Sequence, residues 1–125
     1  MRNEFNMEIP NEPQYISVAR LAISGVANHM DFLEEDVEDI KVCLSEACNT
    51  CIDNKKKKKE VIDIHCIAIK DGLAIKVDCE GNSLDERVWE QRHQLGKTFV
   101  ETLMDDVKYT KGKNGTSVEM RKYFH

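Results

Sequence analysis

Nowhere in this chain does an apolar run approach the roughly 20 residues that cross a bilayer. Its opening, Met1-Arg-Asn-Glu-Phe-Asn6, also has no apolar segment of the signal-peptide kind. These two absences predict a cytoplasmic protein without a membrane contact. An excess of positive charge is missing as well. The net charge of -5 and the pI near 5.4 argue against a general nucleic-acid surface. There are only two prolines, and neither repeats nor long linkers break the chain. The five cysteines are an odd number. Cys43, Cys48 and Cys51 fall on or beside one helix, where packed, reduced thiols are expected rather than disulfides, as suits a cytosol. Cys48 and Cys51 form a Cys-x-x-Cys, but a redox or metal sensor using them with Cys79 is the weakest reading, and the second ligand pair of a structural zinc site is missing. His65, Cys66 and Cys79 lie on expected strands without paired spacing.

What is present suits one compact unit. At 125 residues and 41% hydrophobic content, the whole of 1–125 is expected to form a single domain around one core. Phe5 to Ile9 reads as a strand stopped by Pro10, and Pro13 opens a helix to about Met30 with Ile16, Ala19, Ile23 and Val26 inward. The acidic run from Asp31 to Asp39 suits the positive end of a second helix, which extends to about Asn54. Val61 to Ile69 and Leu73 to Cys79 read as strands, with Asp71-Gly72 as a tight hairpin turn. Leu95, Phe99, Val100 and Leu103 mark a third helix. Val107 to Lys111 and Thr116 to Phe124 then form a hairpin around Asn114-Gly115. Helices and antiparallel strands therefore segregate, which predicts an α+β fold: a two-layer sandwich with a mixed, mostly antiparallel sheet covered on one face by helices. The Lys55 to Lys59 run is most simply a solvated connection that places cations at a helix C-terminus, with a phosphate or partner role as the alternative.

The second helix carries the chemistry. Val37, Ile40, Leu44, Ala47, Cys48 and Cys51 recur as a buried stripe, while Glu46, Asn49, Thr50 and Asp53 gather on a neighbouring face. A solvated face is the plain reading of such a ridge, and periodicity alone favours it.

The phrase Leu44-Ser-Glu-Ala-Cys48, with Phe99-Val-Glu-Thr-Leu-Met-Asp-Asp-Val107 and Gly115-Thr-Ser-Val-Glu-Met-Arg-Lys-Tyr123, resembles the bacterial anti-sigma factor serine kinases of the GHKL ATPase superfamily. Glu8-Ile-Pro-Asn-Glu-Pro13 and Val18-Ala-Arg-Leu-Ala-Ile-Ser-Gly25 resemble that family's first strand and helix, so the likeness spans the chain. It implies the Bergerat-type ATP-binding fold, with ATP and Mg2+ as cofactors. It also implies a sigma factor and an anti-anti-sigma factor as partners, and a homodimer holding one sigma factor. Glu46 takes the position of the general base that accepts the proton of a partner serine.

Three departures from the family pattern stand out. The magnesium-binding asparagine position is Thr50, and an asparagine comes one residue early as Asn49, about 100 degrees around the helix. The aspartate that holds the adenine amino group is replaced by Cys79, while Asp78 and Glu80 point to the opposite face and Gly81 keeps the following glycine. The lid, 82–94, is polar and short. Only Gly96 and Lys97 resemble its phosphate-binding end, where backbone amides near a helix N-terminus would cradle phosphate. Ser117 matches the hydroxyl of the last nucleotide-contact motif, although a strand serine is by default a surface residue. Arg20 matches a position for binding the sigma and anti-anti-sigma factors, against the plain reading of a solvated helix arginine.

Overall fold

Strand β1 (Glu4–Pro10) ends on a proline, which an edge strand tolerates because the missing N–H has no neighbour to serve. A short 3-10 turn at Pro13–Tyr15 leads into α1 (Ile16–Ala27), and α2 (Glu34–Asp53) follows. The hairpin expected at Asp71-Gly72 joins β2 (Val61–Ile69) to β3 (Gly72–Glu80). A Cβ on Gly72 would run into the backbone carbonyl of Lys122, so only glycine permits this close approach. Then come α3 (Glu86–Leu103), β4 (Asp106–Lys111) and β5 (Gly115–Tyr123). The structure is a computed structural model that describes residues 3–53, 60–80, 86–111 and 115–125. The Lys55 to Lys59 run and Asn114 of the second turn lie outside those residues.

The strands form one sheet in the order β1-β2-β3-β5-β4, and every described ladder is antiparallel, so the parallel pair allowed by a mixed sheet does not occur among them. Strand alternation divides the sheet cleanly. Ile62, Ile64, Leu73, Ile75, Val77, Val118 and Met120 are buried on the helix-covered face. His65, Lys76, Asp78 and Glu119 lie on the open face, where Lys76 reaches Asp78 and Glu119 at 4.0 Å each.

Helix α2 supplies the other half of the core through Val37, Ile40, Cys43, Leu44, Ala47, Cys48 and Cys51. Its acidic first turn is capped reciprocally. The Asp36 and Val37 N–H groups donate to the Leu33 carbonyl at 3.0 and 3.1 Å, and the Leu33 N–H donates to the Asp36 carboxylate at 3.3 Å. Helix α1 buries Ala19, Ile23 and Ala27, with Ile16 and Val26 packed at the margin of the stripe.

Helix α3 departs from expectation in two ways. It begins at Glu86, so most of the polar stretch expected as a lid is helical. Among the described side chains of α3, Val100 is the buried one, with Met104 buried just past the helix end, while Leu95 is 83% and Phe99 47% exposed. Leucine and phenylalanine periodicity therefore marked the helix but not its buried side.

Candidate functional site

The half-buried Glu46 side chain projects from the middle of α2 toward α3. There it meets Gly96, and a Cβ built at that position would lie 2.6 Å from Glu46 Oε2. Glycine is thus the residue that lets α3 pass over the carboxylate. One turn further along α2, Thr50 is only 4% exposed, and its hydroxyl donates to the Glu46 carbonyl at 3.2 Å. Thr50 belongs to the buried side of the helix and not to a solvated ridge. Asn49, one position earlier, is exposed, as the rotation of the helix demands. The Asp53 side chain lies outside what is described.

Gly96 and Lys97 sit ten and eleven residues into α3, not at its start. Their amides therefore serve the intrahelical ladder rather than an anion, which corrects the expected phosphate cradle. The Lys97 ammonium instead lies over the Tyr109 ring of β4, 5.4 Å from its centre. Burial pushes the Tyr109 phenol well above its ordinary value, and the nearby carboxylates of Glu101 and Glu46 add to the rise. Glu46, Gly96, Lys97 and Tyr109 are thus gathered where α2, α3 and β4 meet.

The other end of the site is closed covalently. Cys79 faces inward from β3, and Cys51 faces it from the last turn of α2. They form a disulfide with a Cα separation of 5.7 Å. This overturns the expectation that all five thiols are reduced packing groups. Helical spacing singled out Cys48-x-x-Cys51, but the neighbour that matters is 28 residues away on a strand. Cys43, Cys48 and Cys66 are buried and free, and burial is the main reason each is pushed up to about 12. Asp78 points to the open face, as alternation requires, 3.8 Å from His65 Nε2.

Ser117 pairs with Asp78 across the ladder and shares its open face, so it does not point toward Glu46 or Cys79. The hydroxyl residue on the site side is Thr116, 3% exposed and paired with Cys79. Its sequence signal was the alternation with Val118 and Met120. Gly81 lies outside the described residues. Arg20 is exposed on α1 beside Val18 and Leu21, which are 48% and 75% exposed.

The donor chemistry on α2 fits a magnesium nucleotide in part. The Glu46 carboxylate and the exposed Asn49 amide, one turn apart, carry hard oxygens of the kind magnesium takes, whereas the Thr50 hydroxyl is buried and already donates to the Glu46 carbonyl. The phosphate and base ends do not fit as they stand, since the amides of Gly96 and Lys97 are engaged and Cys79 is bonded to Cys51.

A helix-covered antiparallel sheet with a glutamate held between α2 and α3 defines an ATPase-like α+β class. The family described as histidine kinase-like ATPase domain matches residues 9–122, and the chain belongs to it. Within it, the chain is similar to serine-protein kinase RsbW of Bacillus velezensis, with 34% identity over 95% of this chain and 84% of that protein. RsbW of Listeria monocytogenes is 31% identical over 100% of this chain and 90% of that protein. Among solved structures, the RsbU and RsbW domains of Rv1364c from Mycobacterium tuberculosis superpose with a TM-score of 0.78 at 13% identity. The match covers 97% of this chain and 32% of that one. A histidine kinase domain from Erythrobacter litoralis gives a TM-score of 0.64 at 18% identity, covering 93% and 62%. At such identities these likenesses concern the fold.

Proposed function

We propose that this chain is a cytoplasmic anti-sigma factor, a single domain over 1–125, that sequesters an alternative sigma factor of the stress or sporulation type. With ATP it phosphorylates a serine of an anti-anti-sigma partner. The observation that carries the kinase half is the Glu46 carboxylate, held in the middle of α2 under Gly96. The similarity to the serine-protein kinases RsbW runs over nearly the whole chain and supports the same reading. A half-buried carboxylate reached by a serine hydroxyl acts as general base and takes the proton as the oxygen attacks. ATP with Mg2+, when bound, supplies the phosphoryl group and neutralises its charge. The exposed Asn49 amide would hold the metal beside Glu46, the buried Thr50 would line it only by leaving its bond to the Glu46 carbonyl, and the Lys97 ammonium would face the phosphates once it leaves Tyr109.

Sigma capture requires none of this. Arg20, with the exposed Val18 and Leu21, offers a cation beside apolar surface on α1, a composition suited to anchoring a protein partner. A homodimer that holds one sigma factor is part of this reading.

A Glu46→Ala variant tests the proposal with purified sigma and anti-anti-sigma proteins and radiolabelled ATP. Transfer to the serine should drop by a factor of about 100 or more while sigma capture stays intact. Undiminished transfer would remove Glu46 from the mechanism. A second reading, a non-catalytic anti-sigma binding protein, is favoured by the Cys51–Cys79 bond and the engaged amides of Gly96 and Lys97. It expects no transfer from the unaltered chain under any condition.

A further inference from the structure

We propose that Cys51 and Cys79 form a thiol-oxidation site that closes the base end of the nucleotide cleft, so that a peroxide gates nucleotide binding. The proposal rests on the nucleotide-binding reading given above. The two cysteines come from independent elements, the last turn of α2 and the end of β3, and their Cα atoms are 5.7 Å apart, inside the span a disulfide bridges. Their neighbours belong to the site. Thr50 precedes Cys51 on the helix, and Thr116 pairs with Cys79 across the ladder. When the bond is present, it ties helix to strand where a base would enter between them. When it is absent, the Cys79 thiol has a weak acceptor waiting in the Thr116 carbonyl, 3.9 Å from its sulfur. Both states are therefore accommodated by the same backbone.

The other thiols make the site selective. Cys43, Cys48 and Cys66 are buried in the core and held protonated at neutral pH, which leaves them poor nucleophiles. Cys79 retains 6% of its surface at the end of its strand, against 0% for Cys43 and Cys48 and 2% for Cys66.

The chemistry balances with hydrogen peroxide as oxidant. The Cys79 thiolate attacks one peroxide oxygen, an S–O bond forms, the O–O bond breaks, and the departing hydroxide takes up a proton to become water. The Cys51 thiolate then attacks the sulfenic sulfur, the S–S bond forms, and the expelled hydroxide leaves as a second water. Two thiols are oxidised and one peroxide is reduced to two waters. A dithiol reductant reverses the step by exchange.

The test is calorimetric titration of the whole chain with ATP and Mg2+, after dithiol treatment and after hydrogen peroxide, with peptide mapping of the bond in each sample. Cys51→Ala and Cys79→Ser are carried alongside. Both keep all the methionines and so control for their oxidation. The expected result is a mapped Cys51–Cys79 bond, unmodified Cys43, Cys48 and Cys66, and nucleotide binding at least tenfold weaker after peroxide that dithiol restores. Neither variant should respond to peroxide. Failure to map a Cys51–Cys79 bond in peroxide-treated protein would overturn the proposal. Equal binding in the two redox states would overturn the gate alone. Absence of binding in both states would overturn the gate together with the nucleotide reading.

Discussion

The two ends of α2 are built on different principles. At its start, a lysine from β5 is buried among acceptors. Lys122 Nζ donates to the Leu103 carbonyl at 2.6 Å and lies 3.7 Å from Asp36 and 3.8 Å from Asp39. That cation ties the last strand to the start of α2 and the last turn of α3, and both Asp36 and Asp39 lie within its reach. At the other end, the Thr50 hydroxyl satisfies a carbonyl of its own helix, and Asn11 Nδ2 donates to the Cys51 carbonyl at 3.1 Å. Asn11 Oδ1 is buried there with no hydrogen-bond partner among the described residues. The first end is polar in the service of stability. The second leaves polar capacity open, as a site that must accept a ligand requires.

The sharpest way to break this contrast is to remove the cation at the stable end. Lys122→Met keeps the length of the side chain but leaves the buried Asp36 carboxylate without its opposite charge, which costs on the order of 3 to 5 kcal/mol. Glu46→Ala, at a half-buried position in the open end, should cost less than about 1 kcal/mol. Urea unfolding of the two variants checks both values. Equal losses would mean that Glu46 is as much a structural group as Lys122, and the contrast would fall.

A smaller effect comes from the buried thiols, which lie along the helix and sheet core between the two ends. Cys43, Cys48 and Cys66 are each pushed from 9.0 to about 12, chiefly by burial, with Asp39 adding to the rise at Cys43. The unfolded chain loses these protons near 9.0 while the folded chain keeps them to about 12. The unfolded state therefore binds fewer protons in that window, and stability falls as pH rises. Below 9.0 the contribution is fully present. Under reducing conditions the urea midpoint should hold up to about pH 9 and drop as pH rises above it, and by less in Cys48→Ala. A midpoint unchanged over this range would show that these thiols are not shielded from water.

Much of the architecture was legible before the structure. Val61 to Ile69 is the strand that its β-branched and apolar residues predicted, and Asp71-Gly72 makes the expected turn because a residue with a side chain has no room against β5. The face of Asp78 followed from the pleat. What escaped were the features that depend on one-residue phase or on distant partners. Ser117 and Thr116 are adjacent, and a likeness of motifs does not say which of them a strand turns inward. Thr50 was grouped with Glu46 by spacing, although the core claims it. Leu95 and Phe99 are large apolar residues, yet among the described side chains of α3 it is Val100 that is buried. Lys122 sits in an ordinary alternating strand, and nothing nearby in the sequence announces that Asp36 and Leu103 will surround it. The Cys51–Cys79 bond joins two elements whose mutual approach only the fold determines.

Gly96 gives the smallest effect and the closest view of how the open end works. Alanine in the middle of a helix is favoured over glycine by about 1 kcal/mol, so Gly96→Ala should stabilise α3 if nothing opposed it. The new Cβ would fall 2.6 Å from Glu46 Oε2, and the carboxylate must swing aside. Displacing the end of a flexible side chain costs up to about 1 kcal/mol, which roughly cancels the gain in propensity. In a Glu46→Ala background the obstacle is gone, and the same substitution should deliver its full gain of about 1 kcal/mol. The cycle thus predicts a coupling of about that size between two residues 50 positions apart, read from urea unfolding of the four proteins. Serine phosphorylation should fall in Gly96→Ala although its stability is unchanged, because the base has been moved rather than removed. Equal stabilisation with and without Glu46 would mean that the carboxylate does not rest against Gly96 in solution, and that α3 does not cover the base.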